Sequence, residues 1–125
     1  MMKHLITFLL FSFFSLYAFS APEKIVLSNQ GAGVIDDRSH PLNFDMPDAF
    51  YNHDEKTQDI IIDGGGVVSY YDVEISSPVT NTVEMTTQVN GTYDSFDISS
   101  LSTGPHVITI ESPSGNIYEG TFTKY

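Results

Sequence analysis

Apolar and polar residues alternate singly along most of this chain, in short runs separated by turn-forming residues. In VVSYYDVEIS, Tyr71, Val73 and Ile75 fall on one face and Tyr70, Asp72 and Glu74 on the other. A period of two is that of a strand with one buried side, and no 3.6-residue period persists after residue 20. TVEMTTQV repeats the pattern and predicts Val83, Met85 and Val89 pointing inward. EKIVLS places Ile25 and Leu27 on one face, and PLNFDM offers Leu42, Phe44 and Met46. QDIIID is a short apolar run, Ile60 to Ile62, ended by Gly64, Gly65 and Gly66. YDSFDIS directs Phe96 and Ile98 inward, PHVITIES puts His106 in phase with Ile108 and Ile110, and IYEGTFTKY closes the chain. Asn90-Gly91 between two such runs is a hairpin signal. Seven or eight strands at roughly ten-residue spacing predict an all-β antiparallel sandwich with solvated outer faces. NQGAGVIDDRSH and PDAFYNHDEKTQ read as irregular links, the second with one helical turn after Asp48.

The first twenty residues follow a different rule. Lys3 precedes the apolar run LITFLLFSFFSLYAF, and Ala18-Phe19-Ser20 places small residues three and one before a cut after Ser20. This is the layout of a secretory signal peptide. Fifteen residues make about 22 Å of helix, short of the roughly 30 Å hydrocarbon core, so a retained anchor is disfavoured. The expected mature chain is one domain, residues 21–125. Periplasmic, outer-surface and secreted destinations all remain open.

Composition narrows the function. There is no cysteine, hence no disulfide, thiolate metal site or lipidated N-terminal cysteine. After cleavage four cations (Lys24, Arg38, Lys56 and Lys124) face sixteen carboxylates, a formal charge of −12. Phosphate backbones and anionic lipid are repelled by such a surface, so nucleic acid is excluded as a partner, as is membrane insertion of the mature chain.

Candidate chemistry is sparse. His106 lacks any Ser or Cys nucleophile motif and reads as a corner residue satisfied by backbone groups. His40, His53 and His106 show no H-x-H or H-E-x-x-H spacing for zinc. Calcium is the metal best suited to an acidic exported sandwich, with oxygens from Asp36, Asp37, Asp45 and Asp48. No D-x-D-x-D-G loop is present, so solvated loop carboxylates are the expected state and no cofactor is expected. DGGG at Asp63 has no following Lys-Ser/Thr and precedes a strand, so it reads as a close approach of backbones and not a phosphate loop. Asn90-Gly91-Thr92 fits a glycosylation acceptor but reads as a turn. Asp72 and Glu74 share a strand face without the groove that glycoside hydrolysis needs.

The segment FDISSLSTGPHVITIESPSGNIYEGTF, together with Pro41-Leu42 and Val73-Glu74-Ile75, resembles small secreted proteins of gut Bacteroidales that have no assigned function. The resemblance implies an immunoglobulin-like sandwich of seven to eight strands. The pieces that carry it are the corner Phe96-Asp97-Ile98-Ser99-Ser100-Leu101, the turn Gly104-Pro105-His106 and the closing Tyr118-Glu119-Gly120-Thr121-Phe122. The same corner is similar to one in the C-terminal sorting domain of the type IX secretion system, a weaker resemblance. The family pattern has Tyr where this chain has His106.

Aromatic residues are the candidates for recognition. Phe50 and Tyr51 sit in the predicted acidic link, and Tyr70 and Tyr93 point outward by phase. Outward tyrosines stack on sugar rings or anchor protein partners. The sequence therefore predicts an exported, non-enzymatic binding or structural module at or beyond the cell envelope, with a protein or glycan partner. A type IX sorting or attachment module ranks second and a small exported hydrolase third.

Overall fold

The computed structural model describes residues 22–30, 44–54 and 57–125. The signal segment, Asp36, Asp37, Arg38, His40, Leu42 and Lys56 lie outside the described residues. Among the described residues the chain is all β: β1 (Glu23–Ile25), β2 (Ser28–Asn29), β3 (Asp48–His53), β4 (Gln58–Asp63), β5 (Tyr70–Ser77), β6 (Thr82–Asn90), β7 (Tyr93–Asp97), β8 (Gly104–Glu111) and β9 (Ile117–Lys124). They form two antiparallel sheets, one ordered β1-β3-β4-β7 and the other β2-β9-β8-β5-β6.

Single alternation produces the core. On β5, Tyr71, Val73 and Ile75 are buried while Asp72 and Glu74 are exposed, and β8 buries His106, Ile108 and Ile110 in the same way. Inward rows of the two sheets meet in one cluster that includes Ile25, Tyr51, Ile60, Ile62, Tyr71, Ile98, Ile108, Tyr118 and Phe122. The early strand serves both sheets. β1 pairs with β3, and two residues later β2 pairs with β9. Gly120 makes this switch sterically feasible, since a Cβ there would lie 2.7 Å from the Val26 carbonyl oxygen.

Gly64 and Gly91 meet at the end of the sandwich where β4 hands over to β5 and β6 to β7. A Cβ on Gly91 would lie 1.8 Å from the Val68 carbonyl oxygen, and one on Gly64 2.3 Å from the Gly91 carbonyl oxygen. Asp63-Gly64-Gly65-Gly66 is thus a close approach of backbones, and Asn90-Gly91 a turn. The Asn90 side-chain oxygen accepts from the Thr92 and Tyr93 amides at 3.0 and 2.9 Å.

Three expectations from the pattern are corrected. Asp48–His53 of the predicted link is strand β3 and not a helical turn, because Ala49 and Tyr51 alternate inward opposite Ile62 and Ile60. Phe44 and Asp45 form a turn, with Phe44 and Met46 exposed and Asp45 and Pro47 buried, because Asp45 is bonded inside the sandwich. Val83 is 54 % exposed. The register of β5 against β6 runs from Ile75–Met85 to Ser76–Val83, so Glu84 is an extra, bulged residue that reverses the phase before it.

Candidate functional site

Asp45 is the carboxylate that sequence reasoning placed among solvated loop acids. It is 1 % exposed. Its Oδ2 accepts from the Ser114 hydroxyl at 2.6 Å, and its Oδ1 from the Asn116 amide at 3.0 Å and from the Tyr118 phenol. The Tyr71 phenol donates to the Asp45 carbonyl at 2.8 Å. These contacts fasten the 44–47 segment to β5, β9 and the 112–116 turn. Burial raises the carboxyl's pKa, but the donors Ser114, Tyr118, Ser112 and Asn116 together outweigh it and hold Asp45 below its ordinary value. Among the described residues no cation lies beside this charge, and burial followed by that charge pushes the Tyr71 phenol up to about 12. Asp45 was invisible as a core group because an aspartate in a loop reads as solvated unless its donors, seventy residues away, are known.

The bulge aims Glu84 at a second cluster. Its carboxylate accepts from the Ser102 amide at 3.0 Å and the Ser102 hydroxyl at 2.8 Å, and lies 3.5 Å from His106 Nε2. His106 is 1 % exposed, and its ring stacks on Phe122 with centroids 5.4 Å apart. Its Nδ1 lies 2.9 Å from the Gly104 carbonyl oxygen, so Nδ1 carries the hydrogen and Nε2 faces Ser102 at 3.3 Å. Serine, histidine and an acid are therefore together, but not in a relay. A relay needs the acid on Nδ1 and the nucleophile on Nε2. Here the acid sits on the nucleophile's side and takes the serine hydrogen itself, while a backbone carbonyl occupies Nδ1. The Ser102 amide and hydroxyl hold the Glu84 carboxyl below its usual value against a smaller opposing effect of burial. The arrangement locks the corner, with His106 in the position where the resembling family carries tyrosine.

The recognition aromatics separate into two groups. Tyr51 is corrected to a core residue, 0 % exposed on β3. Its phenol donates to Gln58 at 2.6 Å and accepts from the Tyr125 amide at 3.2 Å, and its ring stacks with His53 and Tyr125. Phe50, one residue earlier, faces the other way. The register runs Lys24–Phe50–Ile61–Ser95 across the outer face of the four-stranded sheet, and Asp48–Asp63–Tyr93 along the next outward row. Phe50 and Ile61 are half-buried and Tyr93 is 58 % exposed. Phe50, Ile61 and Tyr93 thus share one face, rimmed by Asp48, Asp59, Asp63 and Asp97. Ile61 escaped notice because it sits between two core isoleucines in an unbroken apolar run. Tyr70, half-buried, belongs to the other sheet but lies opposite Asn90, at the same end of the sandwich as Tyr93.

Of the calcium candidates, Asp36 and Asp37 lie outside the described residues, and Asp45 and Asp48 lie within them. Among the described residues no group of three or more His, Asp or Glu side chains is placed to hold an ion. Asp45 Oδ1 and Oδ2 are occupied as above, and Asp48 lies 3.5 Å from Lys24 on the exposed face.

The outer face of the five-stranded sheet is acidic. Asp72 lies opposite Glu111, and Thr109 on β8 lies between Glu74 on β5 and Glu119 on β9. Between β6 and β8 runs a shallow basin of ≈ 460 Å³ lined by Asp72, Glu74, Thr86, Thr109 and Glu111.

No family model matches the sequence, and no curated protein is similar to it. Among solved structures the chain is similar to a DUF3244 family protein with an immunoglobulin-like β-sandwich fold from Bacteroides vulgatus. The TM-score is 0.62 at 10 % identity, over 84 % of this chain and 100 % of that one. The fold is that of an immunoglobulin-like sandwich, and the neighbour is a Bacteroides protein, in keeping with the resemblance carried by the sequence motifs.

Proposed function

We propose that this chain is an exported, non-catalytic binding or structural module of the bacterial cell envelope or its exterior, which holds a protein or glycan by surface complementarity. The observation that supports this reading is the outer face carrying Phe50, Ile61 and Tyr93. An apolar centre with a carboxylate rim is the anatomy of a recognition patch. Aromatic anchors there contribute large contact area at small entropic cost. The groups that could do chemistry are engaged elsewhere: Asp45 ties segments together, and Glu84 and His106 lock a corner.

The test is a pull-down from envelope extract with the mature protein, alongside a glycan array, each run with calcium and with a chelator. Phe50→Ala and Tyr93→Ala are compared with the parent after circular dichroism confirms their fold. Loss of capture by about tenfold or more in either variant supports the reading. Capture that is the same in all three proteins sinks it. The calcium arm reads out the loop aspartates directly, since only a calcium-dependent difference supports a role for the metal.

A further inference from the structure

Four strands end the two sheets, and three are guarded. β1 and β2 are three and two residues long. On β7 the Ser95 amide is taken by the Asp94 carboxylate at 2.9 Å, and just beyond it the Ser99 amide by Asp97 at 2.8 Å. β6 differs. It runs nine residues, Thr82–Asn90, and among the described residues no strand lies on its far side. Its sequence TVEMTTQVN holds no proline and no lysine, and Glu84, its single charge, is turned to Ser102. Proline, lysine, short length, a bulge and an inward-turned charge are the usual guards of an exposed edge, and β6 carries the last two only at Glu84, which leaves the regular stretch Thr86–Asn90 unguarded.

The backbone phase of this edge follows from its last residues. The Gly91 amide donates to the Ser69 carbonyl at 3.0 Å, whereas the Asn90 amide turns away to Asp94 at 3.1 Å. Residues in an antiparallel ladder alternate, so Thr87 and Val89 bond β5, while Thr86 and Gln88 turn both N–H and C=O outward. Beside this open edge lies the acidic face. The Asp72 carboxylate has Gln88 at 3.0 Å, but the Glu74 and Glu111 carboxylates have no hydrogen-bond or ion-pair partner among the described residues. Asp72 and Glu111 confront each other directly, a like-charge pairing that destabilises a sheet unless a cation joins it.

We infer that β6 is an acceptor edge for an extended, cationic segment of a partner protein, which adds as a sixth strand through Thr86 and Gln88 and lays lysine or arginine side chains over β6 toward Asp72 and Glu74. An added strand lies two strand spacings, roughly 9.6 Å, from β5. A long cationic arm and a carboxylate reaching toward each other span that distance. Main-chain bonds supply the attachment and the charges supply the choice of partner. A second copy of this chain is not the occupant: its β6 brings no cation and a second acidic face. The inference concerns the opposite sheet from Phe50 and Tyr93 and stands apart from the reading above, so either can fail alone.

The probe is a labelled nine-residue peptide alternating lysine and valine, titrated into the protein and followed by amide chemical shifts and fluorescence anisotropy. Controls are the same composition interrupted by two prolines, and the glutamate-for-lysine peptide. The expected result is binding of the lysine peptide alone, with shifts and hydrogen-exchange protection at Thr86 and Gln88. Thr86→Pro deletes an outward donor without touching the β5 ladder and weakens binding about tenfold. Asp72→Asn with Glu74→Gln leaves the edge backbone intact, weakens binding to a similar degree and flattens its salt dependence. Equal binding of the proline-interrupted peptide, shifts confined to residues away from β6, or association of the protein with itself through β6 each overturns the inference.

Discussion

Asp45 is a buried anion held by hydrogen bonds from Ser114, Asn116 and Tyr118, and its removal should be costly. Asp45→Ala leaves Tyr118, Asn116 and Ser114 without their acceptor, an expected loss of about 3 kcal/mol or more in urea unfolding at neutral pH. The pH dependence has a definite sign. The folded carboxyl titrates below its ordinary 3.8, so its stabilisation is complete above that value and is lost as the pH falls through the lower folded value. Asp45→Asn should flatten this acid limb. Tyr71 acts in the opposite direction, since its folded value is raised to about 12. The stability it confers is intact below the phenol's ordinary 10 and is lost as the pH climbs from there toward 12, with Tyr71→Phe shrinking the alkaline limb. Gly91 is a third residue with a sharp expectation. Gly91→Ala sets a methyl against the Val68 carbonyl and should abolish soluble folded protein. Gly65→Ala, at a positive φ of 67° but in open space, should cost only about 1 kcal/mol.

Among the elements, the strands β5, β7, β8 and β9 were legible because their inward residues alternate without interruption, and β4 because a short apolar run ends at glycines. Ile98, Ile108 and Ile110 are buried as their phase requires. The bulge was not legible, because an inserted residue leaves the composition of a strand unchanged while reversing the phase of everything before it. Val83→Lys should therefore change stability by less than about 0.5 kcal/mol, whereas Met85→Lys, in contact with the core, should cost about 2 kcal/mol or more. Thermal unfolding of the two variants side by side separates the bulged register from a continuous one. β3 was missed for a different reason. Its polar positions Asp48 and Asn52 are turn formers, and only the opposing isoleucines of β4 show that Ala49 and Tyr51 continue a ladder. The candidate site was half legible by the same rule: outward Phe50 and Tyr93 follow from phase within their strands, but their sharing of a face with Ile61 follows only from register between strands.

At the scale of the whole molecule, charge is distributed against the fold. The chain carries a formal net charge of −11, and the acidic outer face of the five-stranded sheet sets Asp72 against Glu111. Salt screens such repulsion over about 10 Å at 0.1 M. Raising sodium chloride from about 20 to 200 mM should therefore stabilise the protein, by about 1 kcal/mol or several degrees in Tm by calorimetry. Glu111→Gln should reduce that gain, since it removes the closest like-charge confrontation on the face.

The early strand that crosses over Gly120 links the two sheets through distant parts of the chain: Ser28 bonds Glu119, 91 positions later. Closing so long a loop is entropically expensive and slow. β9 is the strand on which that crossing lands, and β8 has no partner on that side until β9 arrives. A nascent chain emerging from the ribosome therefore lacks the pairing partner of β2, the early edge of the five-stranded sheet, until β9 has been synthesised. Folding of this sandwich is in that sense deferred until β9 is made, and a chain truncated before Ile117 should remain protease-sensitive throughout.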